Sequence, residues 1–306
     1  MEDHTVTGTP TRAQQDRSSD AGRGLDALLP PEMARRAEAL GITKCRMGGV
    51  QLFTLAVLAG AFIALGALFS TTVIAGAGDR LPWGVVRLLA GVTFALGLVL
   101  VVVGGAELFT GNVLIVMARA RGAVRTRELL RNWAIVFAGN AIGAVATALL
   151  VFVSGQYSFG AGAVGATALA IAEHKSSLGA WPAFMLGVLC NALVCLAVWL
   201  SYSARTTTDR ILAVVPPVTA FVAIGLEHSI ANLYFVPLGL WIRDFAPASF
   251  WNRVGGSALD HAGMSWLGFL TRDLPAVTAG NIVGGGLLVG AVYAFVYRRP
   301  RDARAD

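Results

Sequence analysis

Gly225-Leu226-Glu227-His228-Ser229-Ile230-Ala231-Asn232-Leu233-Tyr234-Phe235-Val236-Pro237 lies inside an apolar run from Ile211 to Trp241, long enough to cross a bilayer. A membrane span normally excludes ionisable groups, since each costs roughly 2.5–3.5 kcal/mol near the bilayer centre. Here a carboxylate, Glu227, and an imidazole, His228, stand side by side, followed by the amide of Asn232 and by Pro237. Groups of this kind face a bundle interior or a water-filled path, so the stretch marks a functional site. A satisfied pair tying helices together is the plainer alternative, and it suits Glu227 better than His228.

A second stretch repeats the pattern. Glu107 is followed by four residues and Asn112, as Glu227 is followed by four residues and Asn232. Further on, Gly139-Asn140-Ala141-Ile142-Gly143 pairs with Gly280-Asn281-Ile282-Val283-Gly284. Two interrupted apolar segments, each followed by a Gly-Asn-x-x-Gly helix, read as the halves of an internal repeat. Such paired interruptions point to a transport site between repeats.

The composition sets the class. Hydrophobic residues make up 56% of the 306 and charged residues 14%, against about 25% charged in a soluble domain. The chain therefore reads as an all-α, polytopic membrane protein. Its net charge of +6 comes from basic residues between apolar segments, with no aromatic-basic module, so no nucleic-acid partner is expected. Cys45, Cys190 and Cys195 are too few and too apolar in setting for a disulfide framework or a zinc site. No metal and no cofactor are expected.

Residues 1–29 are polar and expected to be disordered. Residues 30–46 read as an amphipathic cytoplasmic helix with an acidic start and a basic end. Six apolar segments follow within 47–298, near Met47–Ala77, Val85–Ala118, Asn132–Val153, Ala180–Ala204, Ile211–Trp241 and Leu274–Tyr297, and 299–306 forms a tail. His174 and His261 fall in connections between spans. Arg119, Arg121, Arg125, Arg127 and Arg131 crowd the second connection, Arg205 and Arg210 the fourth, and four arginines the tail. By the positive-inside rule both termini are cytoplasmic, which makes this a multi-pass protein of the cell membrane. Three spans per half then require the halves to be inverted. Irregular backbone at membrane depth is tolerated only where it lines a cavity or is buried in protein, so interruptions in spans two and five imply a path between them.

These motifs resemble the formate/nitrite transporter family of pentameric anion channels, across roughly Pro31 to Pro300. The matching stretches are GGAELFTGNVLIVMARA (Gly104–Ala120), EHKSSLGAWPAFMLGVLCNALVCLAVWLS (Glu173–Ser201), GLEHSIANLYFVPLGL (Gly225–Leu240) and AGNIVGGGLLVG (Ala279–Gly290). The resemblance implies an aquaporin-like fold of six helices with the second and fifth broken, one pore per subunit, and a homopentamer. It implies that His228 is the central pore histidine, Thr110 its hydrogen-bond partner, and Asn281 and Asn191 further polar positions. Lys175 corresponds to a lysine that draws anions into the extracellular-side vestibule. Phe94, Leu98 and Phe221 match an outer apolar constriction; Leu108, Phe109 and Val194 match an inner one. Glu107 and Glu227, with Asn112 and Asn232, are expected to hold the broken backbone rather than to touch substrate.

Physical chemistry narrows the substrate class. Moving a bare carboxylate into a dry constriction costs about 20 kcal/mol by idealised Born estimates and several even after relaxation. Protonating an acid of pKa about 3.9 at neutral pH costs roughly 4 kcal/mol. Apolar rings around one titratable histidine thus suit a weak acid that is attracted as an anion and crosses largely neutral. A histidine in its ordinary range would make flux most sensitive to pH between about 5.5 and 7.5.

Formate is the expected substrate, with nitrite next and protons and the lipid bilayer as further partners. Hydrosulfide, acetate and lactate are alternatives within the same family, and a sodium-coupled broken-helix symporter lies further off. A water or glycerol channel is disfavoured because no Asn-Pro-Ala occurs. A membrane enzyme is disfavoured because no His-Glu-x-x-His occurs and four histidines are too few for a di-iron centre.

Overall fold

A computed structural model describes residues 27–78 and 80–297. The tails expected at 1–29 and 299–306 therefore fall outside the described residues, except for 27–29. All regular structure among the described residues is helical.

Helix α1 (Pro30–Arg46) begins with a proline, carries Glu32 in its first turn and ends on Lys44 and Arg46. That arrangement matches the helix dipole at both ends. It buries Met33, Ala34, Ala37, Gly41 and Cys45 against the bundle. The helices of the bundle follow as α2 (Gly49–Ile74), α3 (Trp83–Gly104), α4 (Phe109–Ala120), α5 (Thr126–Val153), α7 (Ala180–Ser201), α8 (Thr207–Ile224), α9 (Ser229–Phe245) and α11 (residues 266–296). Two further helices lie between them, α6 (Ala163–Ser177) and α10 (Ala248–Val254). Among the described residues, six stretches are long and apolar enough to cross a membrane; a 22-residue helix such as α3 is about 33 Å long, the thickness of a hydrocarbon core.

The chain leaves helical geometry twice inside the bundle. After α3, Gly105 takes φ +78°, and after α8, Gly225 takes φ +90°. Both are left-handed C-caps that a side chain would strain. Residues 106–108 and 226–228 are then non-helical, with Leu108 and His228 extended, before α4 and α9 begin. α9 is buried from Ser229 to Leu240 without interruption, as expected of a helix surrounded on all sides.

Packing follows the repeat. α2 lies against α3 and α5; α7 lies against α8 and α11; α3 and α8 join the two sets. The Gly-Asn-x-x-Gly segments are the closest approaches. A Cβ at Gly143 would sit 2.0 Å from the Val57 carbonyl oxygen, and one at Gly284 would sit 1.9 Å from that of Val188. Only glycine permits these backbones to touch. Within α11, Pro275 has no N–H for the preceding turn, and a π-helical stretch (Phe269–Asp273) lies just before it.

One difference from the sequence reading concerns residues 173–175. Glu173, His174 and Lys175 occupy the last turns of α6, not a loop. α6 is only 15 residues long and packs on α9, so it buries apolar surface without spanning.

Candidate functional site

Two loops meet in the core, and their side chains are held by a common set of bonds. Asn140 of α5 accepts from the Phe109 N–H at 2.8 Å through its Oδ1, and donates to the carbonyls of Ala56 (2.7 Å) and Glu107 (2.9 Å). Asn281 of α11 accepts from the Ser229 N–H at 2.9 Å and donates to Gly187 (2.9 Å) and Glu227 (3.0 Å) carbonyls. Each amide thus caps the first N–H of a helix that starts at a buried residue, Phe109 or Ser229, where an unpaired donor is costly.

The carboxylates are held the same way. Glu107 accepts from Lys44 Nζ at 2.9 Å and from Asn112 Nδ2 at 2.7 Å; Lys44 also donates to Asn112 Oδ1 at 2.7 Å. Asn112 Nδ2 donates to Asn132 Oδ1 at 3.0 Å as well, and Asn132 Nδ2 returns to the Lys44 carbonyl. Glu227 accepts from Lys175 Nζ at 2.9 and 3.1 Å and from Asn232 Nδ2 at 2.7 Å. A buried polar group is costly unless it is paired and hydrogen-bonded, and both carboxyls are.

His228 lies at the N-cap of α9, fully enclosed, and its Nδ1 accepts from the Ala231 N–H at 3.1 Å. An accepting Nδ1 assigns the neutral ring's proton to Nε2. Nε2 lies 3.0 Å from Thr110 Oγ1, so the imidazole donates across the gap between the loops. Among the described residues the Thr110 hydroxyl makes no further bond, which leaves its own hydrogen free to donate. The Thr110 carbonyl accepts from Asn191 Nδ2 at 3.2 Å and from Cys195 Sγ at 3.4 Å. Asn191 Nδ2 also reaches the Asn281 carbonyl at 2.6 Å, while its Oδ1 and Ser229 Oγ are buried without partners among the described residues.

A cavity of about 820 Å³ leads to this centre. His228, Glu227, Lys175, Phe94 and Phe221 line it, together with Arg87 and His174. Phe94 meets Phe221 edge-on at 5.6 Å, and Phe221 stacks on the His228 ring at 5.9 Å. Lys175 Nζ lies 5.5 Å from the centre of the Phe235 ring. Leu98, Leu108, Phe109 and Val194 are buried in the main apolar core instead. Phe109 is wedged between Phe137 (5.1 Å) and Trp133 (6.2 Å). Asn281 and Asn191 stand behind the loops, not on the cavity wall.

Sequence reasoning missed Lys44, Asn132 and Asn140 as site residues, and Arg87 altogether. Asn140 carried a signal, since it shares the motif of Asn281. Arg87 carried one too, being a charge inside an apolar segment. Lys44 and Glu107 lie 63 residues apart, and nothing local links them.

Comparison with known proteins agrees with this architecture. Residues 31–295 match the formate/nitrite transporter family. The chain is 44% identical over 282 residues to the formate channel FocA of Escherichia coli K12, covering 92% of this chain and 99% of that one. It is 34% identical to a probable formate transporter of Methanothermobacter thermautotrophicus, over 88% of this chain and 96% of the relative. A solved pentameric formate channel with formate bound superimposes with a TM-score of 0.78 at 43% identity, covering 82% and 98% of the two chains. With its fold and most of its length matched, the chain belongs to the formate/nitrite transporter family.

Proposed function

We propose that this protein carries small monovalent weak-acid anions, formate first and nitrite next, across the cytoplasmic membrane as a homopentamer with one pathway per subunit. Its multi-pass architecture, its family and the names of its relatives support transport rather than catalysis. Both termini and α1 face the cytoplasm in this reading, as the arginine-rich connections require. The cavity beside Lys175 is then the extracellular-side vestibule.

The observation that carries the mechanism is the buried His228 Nε2–Thr110 Oγ1 bond at 3.0 Å, beside a cavity that His228 lines with Phe94 and Phe221. An anion enters the vestibule, where Lys175 and Glu227 offer a polar wall. Beyond the phenylalanines a bare carboxylate has no water, and protonation at roughly 4 kcal/mol is the cheaper course. The proton comes from solvent in the vestibule and returns to solvent on the other side. At the centre the Thr110 hydroxyl donates to a substrate oxygen while His228 fixes its orientation. Leu98 belongs with Phe94 and Phe221 on the outer side in this reading, and Leu108, Phe109 and Val194 keep water out of the next segment. Glu107, Glu227, Asn112, Asn232, Asn191 and Asn281 hold the loops.

The test is formate flux into proteoliposomes with internal and external pH recorded and no ionophore present. Neutral transit predicts that formate uptake consumes an external proton and generates no diffusion potential. Formate entry with a membrane potential and no pH change would defeat it.

A further inference from the structure

The vestibule wall holds two cationic side chains, and only one is balanced. Lys175 gives its ammonium to both oxygens of Glu227, with side chains 12% and 2% exposed. At any distance larger than the pair itself, the two charges cancel. Arg87, in the first turns of α3, lines the same cavity. Among the described residues no carboxylate lies within ion-pair distance of it. The other titratable groups on the wall are His174 and His228.

Arg87 is fixed by the end of α8. Its Nε donates to the Ala223 carbonyl at 3.0 Å and its Nη2 to the Val222 carbonyl. Its guanidinium also lies 5.9 Å from the centre of the Trp83 ring. Gly225 makes room, since a Cβ there would approach Arg87 Nη2 to 3.1 Å. A helix C-terminus carries about half a negative charge on its last carbonyls, and here that end lines the cavity through Val222, Ile224 and Gly225. Arg87 covers two of those oxygens and still has unused N–H groups, because a guanidinium carries five donors and uses two here.

We propose that Arg87 is a specificity-determining residue of the vestibule, supplying the net positive charge that captures the anion, while Lys175 serves chiefly to hold Glu227. This rests on the anion-transport reading above. A cleft with one sign of charge and low-dielectric walls raises local counter-ion concentration by about tenfold or more. Arg87 lines the same cavity as Phe94 and Phe221, and in this reading capture at Arg87 precedes protonation.

The experiment is initial formate uptake by the full-length protein in proteoliposomes at about pH 8, where ordinary histidines are neutral, across a range of formate concentrations. Arg87→Gln retains donors for the carbonyls without charge; Arg87→Lys retains the charge. At low formate we expect Arg87→Gln to fall threefold or more below wild type and Arg87→Lys to stay within about twofold, at the lower end of electrostatic focusing. At saturating formate the three should converge. Raising ionic strength from about 0.01 M to about 1 M, which shrinks the Debye length from roughly 30 to 3 Å, should close the gap at low formate.

Equal flux for wild type and Arg87→Gln at low formate overturns the proposal. So does an equal loss at low and saturating formate that Arg87→Lys fails to rescue, since that marks a purely structural role. Should Arg87→Gln not assemble, wild-type flux at low formate that is indifferent to salt overturns it. Absence of any formate flux in wild type would instead condemn the transport reading, and this one with it.

Discussion

Glu107 and Glu227 each receive an ammonium from an element remote in sequence, Lys44 in α1 and Lys175 in α6, and each receives an amide hydrogen from an asparagine five residues on. Asn140 and Asn281 each cap the helix that follows and tie the loop carbonyl behind it. Aligned on these bonds, Leu108 falls where His228 stands, Phe109 where Ser229 stands, and Thr110 where Ile230 stands. The scaffold is present twice and the titratable centre once. The repeat thus builds two polar-backed turns at mid-bundle, and one departure from symmetry on each side brings imidazole and hydroxyl together at 3.0 Å.

The largest effect should come from breaking the shared scaffold. Asn140→Ala and Asn281→Ala each remove three hydrogen bonds and leave a buried N–H unpaired, at about 1–3 kcal/mol for each group left unsatisfied. Both variants should lose on the order of 3–6 kcal/mol, enough to exhaust much of a typical stability. Thermal melting and size-exclusion in detergent would check this. If one variant melts like wild type while the other fails to fold, the two halves are not equivalent and the comparison is wrong.

Next comes the ion pair at each turn. Removing one partner of a buried pair costs about 3–5 kcal/mol, because the other charge is left without compensation. The Lys44 side chain is 23% exposed against 12% for Lys175, and Glu107 sits in a chain that runs on through Asn112 to Asn132. Solvent screening reduces the Lys44 value. Lys175→Met should therefore destabilise more than Lys44→Met, with adding Glu227→Gln or Glu107→Gln recovering much of each loss. Denaturation of the two double-mutant series reads this directly. A larger loss at Lys44 would mean that α1 is more firmly clamped than its exposure implies.

Much of this was legible in the sequence, and the rest was hidden for physical reasons. Six apolar stretches and two polar interruptions follow from hydropathy alone, and the Glu-x4-Asn and Gly-Asn-x-x-Gly matches fall on residues that make equivalent bonds. α6 was not legible. At 15 residues it is below spanning length, and its Ala-rich stretch AVGATALAIAEHKSS lacks an amphipathic period. Lys44 was hidden because its partner is set by how α1 docks, which no local pattern encodes. The assignment of anion attraction to Lys175 by resemblance did not reveal that Glu227 takes both its hydrogen bonds. That depends on α6 being a helix whose last turn faces the loop.

The smallest structural change with the sharpest functional reading is at the point of asymmetry. His228→Leu places in one half what the other half already carries at Leu108. It forfeits the bond from Ala231 N–H, about 1 kcal/mol for a lost N-cap, and the bond to Thr110. The protein should still fold and assemble, with formate flux down roughly tenfold as one hydrogen-bonded contact in the path is lost. His228→Phe keeps the aromatic volume that stacks on Phe221, and His228→Asn keeps hydrogen bonding without titration. The Nδ1 position matters here. A ring carrying a second proton cannot accept from Ala231, so protonation releases the first turn of α9 and couples charge to backbone. The substrate's own protonation also favours low pH, so wild-type flux by itself decides nothing. The informative quantity is the ratio of variant to wild-type flux between about pH 5 and pH 8, the interval that spans an ordinary histidine titration. A ratio that changes with pH for both Phe and Asn makes titration the function of the asymmetry. A ratio that changes for Phe but stays flat for Asn leaves hydrogen bonding as its function. A flat ratio for both reduces His228 to a cap for α9, and the two turns then differ in shape alone.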